Sequence, residues 1–477
     1  MSSYWQRPEL STLHKLAFVQ KQQVFLVGGA LRDQYLGRAK QDLDFAVSAG
    51  AITLARKFSR AIKGAFVLLD EDSGCARVAK KRPDGLWTYD FADFRAKTLK
   101  GDLAHRDFTI NTLAMDLKDI IDTKTGAKLS SHVVHAPGAL SDLKSKTIRM
   151  VGARTFNEDP LRLLRAYSLK AQLGFKIEAN TLACIKRERN LIKTVSAERV
   201  REELFKILGS SRAACVIKGM DRDGMLVEIM PQVRVMYGVK QGGYHHLDVW
   251  KHSLEVLVQF ERLLKEFSMD MKVKDYLNEE LGGGHSRLSV LKLACLLHDI
   301  GKPDTRKKEP TGRTSFHTHE HVGRRVARII AQQLILSTKE RHALEDMVTH
   351  HLRPGYLSNF KRPSDKAVFR YFRDTKDEAV SIALLAMADQ RSTRGPLTTS
   401  YDLEHHQDIC LGIVKKYFVS KSKKPFVRLL TGHDLIKEIG LKPGPQFSPL
   451  LSKVDEAQHL GKVTTKTEAL AFVRRNL

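Results

Sequence analysis

The sequence has few cysteines and no long apolar segment. Its 477 residues include five cysteines, which lie far apart and form no CxxC pair, so neither a disulfide framework nor a cysteine zinc site is predicted. No apolar run reaches the ~18 residues that a membrane span needs, since the best candidates, such as Val380–Ala388, are half that length. The N-terminus also lacks the basic-then-apolar pattern of a secretory signal. We therefore expect a soluble, cytoplasmic protein with no membrane partner.

Length and positive charge are the sequence's most prominent general properties. A chain of 477 residues suggests about three domains, and a hydrophobic content of 42% excludes a largely disordered chain. Lys and Arg number 80 against 54 Asp and Glu, a net charge of +26. This charge favours a polyanionic partner, because clustered Lys and Arg release counterions from phosphates. A basic surface that only aids solubility is the alternative.

The hydrophobic pattern predicts an α+β multidomain fold. Strand-like runs occur only in the amino-terminal part, at Val24–Val27, Leu43–Val47, Ala65–Leu69, Ala76–Ala79 and Leu86–Phe94. Helical periodicity takes over from about residue 107 and is almost continuous from Asp159 onward. The glycines of Tyr237–Tyr244 predict a joint between domains.

The first strand-helix-strand unit carries a possible phosphoryl-transfer site. Asp42 and Asp44 are two residues apart in a strand-like run, so their side chains emerge on the same face. Two such carboxylates can share a hard cation such as Mg²⁺. Gly28 and Gly29 separate the preceding strand from a helix, a turn that lets backbone amides approach phosphate oxygens. A plain tight turn and a solvated strand end are the alternatives.

Five ordered motifs carry a family resemblance. They read GGALRD (Gly28–Asp33), DLDF (Asp42–Phe45), HRDFTINTLAMD (His105–Asp116), EDPLRLLRAYSLKAQLGF (Glu158–Phe175) and ERVREEL (Glu198–Leu204). Together they resemble the class II nucleotidyltransferases, which comprise tRNA CCA-adding, CC-adding and A-adding enzymes and bacterial poly(A) polymerases. The similarity spans about the first 230 residues.

The resemblance implies an architecture and a set of roles. The head, 1–145, would be a mixed β-sheet with helices, and 146–235 a helical neck that binds the nucleotide base and RNA. Asp42 and Asp44 would be catalytic and would hold Mg²⁺ in a two-metal nucleotidyl transfer. The residues implied to bind the nucleotide are Gly28, Gly29 and Arg32 at the triphosphate, Arg106, Asp107 and Asn111 at the ribose, Asp159 and Arg162 at the base, and Arg165 at phosphate.

Two departures from the family pattern bear on which nucleotide is added. CCA-adding members carry a long flexible loop before the ribose motif, but here Phe94-Arg95 is followed almost at once by Lys100–Arg106. This shortening resembles the CC-adding members. The family's hinge motif begins at Asp122 and Gly126 but is interrupted before Gly138, so a switch from C to A would work differently or be absent.

The second half contains an ordered set of histidine and aspartate clusters, at His245–Leu257, Leu296–Pro303, Phe316–Gly323, His350–Pro354 and Met387–Gln390. Imidazole and carboxylate together suit divalent transition metals. Their order resembles the HD-domain metal phosphohydrolases and implies the ligands His252, His298, Asp299, His319, His351 and Asp389. His350 is an alternative to His351, and His317 or His321 to His319. The resemblance places an HD domain at 236–400 and a helical RNA-binding or capping tail at 401–477.

The function predicted from these features is template-independent addition of CMP, AMP or both to tRNA 3′ ends, from CTP and ATP, with a second, HD phosphohydrolase site. A poly(A) polymerase of the same family is the first alternative. An HD phosphohydrolase whose head only binds RNA is the second. A non-catalytic tRNA-binding protein is the third.

Overall fold

The computed structural model describes residues 7–38, 41–122, 132–242, 246–267, 269–393, 399–421 and 427–477. Gly126 of the predicted hinge and residues 243–244 of the predicted joint lie outside these ranges. The chain divides into two compact units, Met1–Glu203 with Asp223–Glu228, and Leu204–Arg222 with Ile229–Leu477. The predicted α+β fold, with a sheet-containing head and a helical remainder, is confirmed. The four predicted domain ranges remain predictions.

The first unit is built on a seven-stranded mixed sheet in the order β3-β4-β5-β2-β1-β6-β7. Its strands are β1 (Val24–Val27), β2 (Asp42–Val47), β3 (Ala65–Asp70), β4 (Cys75–Arg82), β5 (Gly85–Asp93), β6 (Ala114–Asp116) and β7 (Val133–Val134). β2 and β5 pair in parallel, and the other neighbours are antiparallel. Phe58 of the helix Ala51–Ile62 packs edge-on against Phe91 of the sheet.

All five predicted strands are present, but the prediction of helix from residue 107 onward is wrong for six short strands, β6 to β11, of which β6 and β7 join the main sheet. β6 pairs with β1 through Ala114 and Val27, and β7 pairs with β6. Strands of three and two residues are too short to show the alternation that marks a strand in sequence. β8 (Thr147–Ile148) and β9 (Lys176–Ile177) form a separate parallel pair, and β10 (Lys307–Lys308) and β11 (Thr314–Ser315) an antiparallel one.

The helices follow in chain order. The first ten are α1 (Pro8–Val19), α2 (Gly29–Tyr35), α3 (Ala51–Ile62), α4 (Leu99–Ala104), α5 (Leu117–Asp122), α6 (Ala139–Lys144), α7 (Thr155–Glu158), α8 (Leu161–Leu173), α9 (Ala179–Glu188) and α10 (Ala197–Leu208). The next eight are α11 (Ala213–Arg222), α12 (Leu226–Ile229), α13 (Val249–Glu266), α14 (Met271–Asn278), α15 (Arg287–Leu297), α16 (Lys302–Thr305), α17 (His319–Gln333) and α18 (Thr338–His350). The last seven are α19 (Arg353–Ser358), α20 (Asp365–Thr375), α21 (Ala379–Ser392), α22 (Ser400–Lys421), α23 (Gly432–Ile439), α24 (Phe447–His459) and α25 (Lys466–Arg475). The last three of these share a small apolar core that includes Leu435, Val454 and Val473.

Candidate functional site

Strand β2 presents Asp42 and Asp44 on one face of the head sheet, where both are exposed while Leu43 between them is buried. The next strand, β5, pairs in parallel register and sets Thr88 opposite Asp42 and Asp90 opposite Asp44. Thr88 Oγ1 donates to Asp42 Oδ1 at 2.5 Å. Paired carboxylates in an open cleft fit Mg²⁺, which takes oxygen ligands and keeps several waters.

The surroundings of Asp44 perturb its acidity. Partial removal from water raises the pKa of Asp44, repulsion from Asp90 raises it further, and Arg106 and Arg165 oppose the change. Gly28 lies beside Asp44 with φ +72°, and a Cβ there would lie 3.3 Å from an Arg106 nitrogen and 3.9 Å from Asp44 Oδ2. Glycine therefore keeps this corner of the cleft open.

Arg32 lies in a buried hydrogen-bond network. Its guanidinium forms two bonds to Asp33 Oδ1, at 3.0 and 2.9 Å, and donates to Asn111 Oδ1 at 2.6 Å. Asn111 in turn donates to Asp107 at 3.0 Å. A Cβ added at Gly29 would lie 3.6 Å from a guanidinium nitrogen of Arg32. The network positions Asn111, while contact of Arg32, Gly28 and Gly29 with a triphosphate remains a prediction.

Asp107 and Arg165 form an ion pair, with Arg165 Nε 2.8 Å from Asp107 Oδ2. Burial alone would raise the pKa of Asp107, but Arg165 and the hydrogen bond from Asn111 lower it below its usual value. Arg106 is held in a similar way, since it donates to Asp102 Oδ2 at 3.2 Å.

The spacing of Asp159, Arg162 and Arg165 at every third residue predicts that all three lie on one face of the same helix. This prediction is wrong for Asp159, because helix α8 begins only at Leu161. Asp159 is extended, with φ −150°, as expected for a residue before proline. Its Oδ1 accepts from the Leu161 amide at 3.2 Å and its Oδ2 from Arg199 at 2.9 Å. Arg162, in contrast, is buried and donates to the carbonyl oxygens of Thr155, at 3.1 Å, and His105, at 2.6 Å.

Tertiary structure gathers five of the nine predicted nucleotide-binding residues around one cavity of about 140 Å³. Its lining residues are Arg95, Arg106, Asp107, Asp159, Arg162 and Arg165. Four guanidinium groups against two carboxylates give it a net positive charge, which suits a polyphosphate. Arg95 was missed by the sequence reasoning: it follows β5, and its guanidinium donates to the His105 carbonyl at 3.1 Å. Asp90 was also missed, although the alternation of β5 places it on the Asp42 face.

The second unit brings six predicted metal ligands together in one buried histidine cluster. His252 Nε2 lies 2.8 Å from Asp389 Oδ1, and His298 Nε2 lies 3.2 Å from Asp299 Oδ2. His319 Nε2 is 3.3 Å from Asp299 Oδ1 and 3.3 Å from His351 Nε2. Two triads, His252-His298-Asp389 and Asp299-His319-His351, each place one donor atom per residue within 4.8 Å of the others.

Backbone carbonyls orient three of these imidazoles. The Nδ1 atoms of His298, His319 and His351 lie 3.1, 2.8 and 2.7 Å from the carbonyl oxygens of Cys295, Phe316 and Val348. An Nδ1 that donates to a carbonyl leaves Nε2 as the acceptor atom, the arrangement typical of a metal-binding histidine. The four imidazoles and two carboxylates therefore fit a divalent transition metal.

The structure separates the histidines that the sequence left as alternatives. His319 and His351 are buried within the cluster, whereas His317 and His321 are exposed. Burial lowers the pKa of His351 to about 3, with His298 and His319 adding to the effect. His350 is outside the two triads, and burial together with Arg353 lowers its pKa to about 4.

A close backbone approach places Asp299 beside His319. A Cβ at Gly301 would overlap the His319 carbonyl oxygen and the Gly323 nitrogen, so only glycine allows this packing. Lys302 follows and starts α16, and its Nζ lies 2.6 Å from Asp299 Oδ2. Helix α15 ends at Leu297, directly before His298, and the short helix α16 begins at Lys302. Asp299, His319 and Asp389 open onto a cavity of about 1030 Å³.

The parts of the chain that carry the two sites match known protein families. Residues 24–149 match the poly A polymerase head domain, residues 174–236 a probable RNA- and SrmB-binding site of polymerase A, and residues 249–390 the HD domain. An A-adding tRNA nucleotidyltransferase of Deinococcus radiodurans is 32% identical over 94% of this chain and 94% of its own length. This chain belongs to the tRNA nucleotidyltransferase family.

Other family members differ in the nucleotide that they add. A CC-adding tRNA nucleotidyltransferase of Thermus thermophilus is 30% identical over 96% of this chain and 94% of its own length. A solved CCA-adding enzyme with CTP has a TM-score of 0.61 at 19% identity, covering 99% of this chain and 96% of that one. At this identity the likeness supports the fold. Among the described residues, no helix of this nucleotidyltransferase is long and apolar enough to cross a membrane.

Proposed function

We propose that this chain transfers CMP, AMP or both from CTP and ATP to the 3′ end of tRNA at the head site, defined by Asp42, Asp44 and the 140 Å³ cavity. The observation that carries this proposal is the arrangement of two carboxylates on β2 in the same unit as an arginine-rich cavity. Relatives that add A and CC to tRNA support the substrate class. Solved relatives in complex with tRNA, ATP and CTP add support.

Asp42 and Asp44 would hold Mg²⁺, which lowers the pKa of an attacking hydroxyl and neutralises a leaving pyrophosphate. The RNA 3′-oxygen attacks the α-phosphorus, the bond to pyrophosphate breaks, and the hydroxyl proton passes to water. The guanidinium groups of Arg95, Arg106 and Arg165 compensate the charge of the triphosphate. No covalent bond to the protein is needed.

Asp159 and Arg162 would read the base. Arg162 has five N–H groups, and its bonds to Thr155, Glu158 and His105 use three of them among the described residues. Those bonds fix the plane of the guanidinium, and the remaining donors are available to a base. An Asp acceptor beside an Arg donor rejects wrong partners by leaving polar groups unpaired.

The test is to supply tRNA transcripts ending at the discriminator base, in C or in CC, with each labelled nucleotide in turn. Addition to at least one tRNA end is expected, and the pattern identifies CC, A or complete CCA addition. Asp42→Asn should abolish addition, and the exposed Asp72→Asn is the matched control. If oligo(A)-ended RNA receives long tails while no tRNA is extended, the chain is a poly(A) polymerase and this proposal is rejected. If the chain binds tRNA tightly but incorporates no nucleotide, the non-catalytic tRNA-binding alternative is supported instead.

The histidine cluster supports a second activity, metal-dependent hydrolysis of a phosphate ester or phosphodiester. Its six residues would hold a divalent metal, which activates water towards phosphorus. Metal analysis and a panel of cyclic phosphates, nucleotides and 3′-phosphorylated RNA would test it. His298→Ala should lose metal and hydrolysis together. The exposed His342→Ala, which lies outside the lining of the cavity beside the cluster, should retain both. Unchanged hydrolysis in His298→Ala would reject the assignment.

A further inference from the structure

The cavity beside the histidine cluster is large and extends to an unusual group of aromatic side chains. At about 1030 Å³ it is at the upper end of the range of ligand pockets, roughly 300–1,000 Å³. Asp299, His319 and Asp389 line one part of it, and Tyr356 and His405 line another. A substrate that reaches the metal-ligand end therefore has room to continue past Tyr356.

Four rings form what we call the aromatic rim: Tyr356, Phe360, Tyr401 and His405. Tyr356, Phe360 and Tyr401 are 59%, 62% and 66% exposed. Across the described ranges, the other exposed large aromatic side chains are Phe18 and Tyr237, so three of five lie at this rim. Exposing so many rings in one place is costly unless they serve binding.

The rim is held in place by its own contacts. The ring of Tyr401 lies parallel to that of His405, with an interplanar angle of 8° and centroids 5.9 Å apart. His405 Nε2 lies 3.0 Å from the Phe360 carbonyl oxygen and donates to it. This bond joins the first turns of α22 to the segment that follows α19, so it links the two parts of the chain that carry the rings.

Positive charge accompanies the rings. Lys361 and Arg362 follow Phe360 directly and are exposed, and within the described part of the chain neither forms an ion pair. Exposed rings next to unpaired cations are typical of surfaces that bind single-stranded nucleic acid, because bases stack on the rings while phosphates meet the cations. An apolar peptide would need the rings but not the cations, and duplex nucleic acid would need the cations but not the rings.

We infer that the aromatic rim binds the bases of a single-stranded nucleic acid whose terminal phosphate enters the cavity towards the histidine cluster. The inference rests on the proposed hydrolytic function and names its substrate class, an oligonucleotide rather than a free mononucleotide. Tyr356 stacks the nucleotide nearest the cavity, Phe360 and Tyr401 stack those beyond it, and Lys361 and Arg362 contact the connecting phosphates.

The test measures binding of a labelled short oligouridylate with a 3′-phosphate to the full chain in chelator, so that no hydrolysis contributes. Fluorescence anisotropy should show that Tyr356→Ala, Phe360→Ala and Tyr401→Ala each weaken binding about tenfold. The exposed Phe18→Ala is the matched control and should not change it. An oligodeoxyuridylate arm distinguishes RNA from DNA, and binding of either supports the inference.

Photocrosslinking provides a second measurement that needs no substitution. With 5-iodouridine in the oligonucleotide, crosslinked peptides should contain Tyr356, Phe360 or Tyr401. Crosslinks confined to other regions, or anisotropy unchanged in all three variants, would overturn the inference. If polyglutamate competes with the labelled oligonucleotide as well as unlabelled oligonucleotide does, the inference is also overturned, because the surface would then bind any polyanion without stacking bases. If the wild-type chain binds the oligonucleotide through these rings but hydrolyses no phosphate substrate, the proposed hydrolytic activity is rejected and the inference about the aromatic rim stands.

Discussion

The head site and the histidine cluster both combine carboxylates with basic side chains, but they balance charge differently. In the head, arginines of the chain pair with the carboxylates: Arg77 with Asp90, Arg106 with Asp102, Arg165 with Asp107, and Arg199 with Asp159. In the histidine cluster, Asp299 and Asp389 face four imidazoles, and Lys302 is the one permanent cation at hand in the described structure.

This difference indicates what each site is built to receive. A cavity with a surplus of guanidinium groups attracts a polyanion, and Asp42 and Asp44, the metal ligands proposed for the head site, lie exposed. Buried imidazoles and carboxylates are costly to keep without a compensating cation, so the histidine cluster is suited to a resident metal. The first site is organised for an anionic substrate and the second for a metal ion.

The strongest test of the comparison is to remove one head carboxylate. Asp44→Asn should reduce nucleotide addition about a thousandfold, because the charge that holds the cation is lost at the reacting centre. Single-turnover incorporation of labelled nucleotide measures the loss. Metal bound at the histidine cluster, measured by elemental analysis, should stay at the wild-type level. Equal loss of metal would show that the two sites are not independent.

Arg165→Ala should lower the rate of nucleotide addition and change its pH dependence. Because Arg165 lowers the pKa of Asp107, its removal leaves burial to raise that pKa. The carboxylate then becomes protonated at a higher pH. We expect kcat/KM to fall about tenfold or more and its acidic limb to move to higher pH. Arg165→Lys should move it less, and an unshifted limb in Arg165→Ala would separate Asp107 from catalysis.

Metal removal should affect stability through the histidine cluster. A ligand at a hundredfold excess over its Kd stabilises the folded state by about 2.7 kcal/mol, which corresponds to roughly 5–10 °C in Tm for a unit of this size. Chelation should lower the transition by that amount in the wild type and in Asp42→Asn. Asp299→Asn should show little change on chelation. A full shift in Asp299→Asn would place the stabilising metal elsewhere.

The smallest effect is expected at Thr88, whose hydroxyl donates to Asp42. Thr88→Val keeps the shape of the side chain but removes this bond to an exposed carboxylate. Nucleotide addition should require a few-fold more Mg²⁺, since a hydrogen bond to a charged group contributes about 1.5–3 kcal/mol when buried and less when exposed. A Mg²⁺ titration of the rate measures it. A loss as large as that of Asp44→Asn would mean that Thr88 contacts substrate.

Much of both sites was predictable because their residues are close in sequence. Asp42 and Asp44 share a face through strand alternation alone, and His298-Asp299 are adjacent. Asp159 was misplaced because the sequence shows an i, i+3 spacing but not that the chain is still extended before Pro160. Choosing His319 over His317 and His321 required knowing that α17 begins at His319 and brings this imidazole to Asp299.

By itself, the sequence determined the α+β division, the family, the carboxylate pair and the order of the histidine clusters, since these depend on local periodicity and adjacent residues. Tertiary structure alone decided that Arg95 joins the cavity of Arg106 and Arg165, that Asp90 stands beside Asp44, and that the aromatic rim adjoins the histidine cluster. These pairings join residues far apart in the chain. Their proximity depends on strand register and helix packing, which no local pattern encodes.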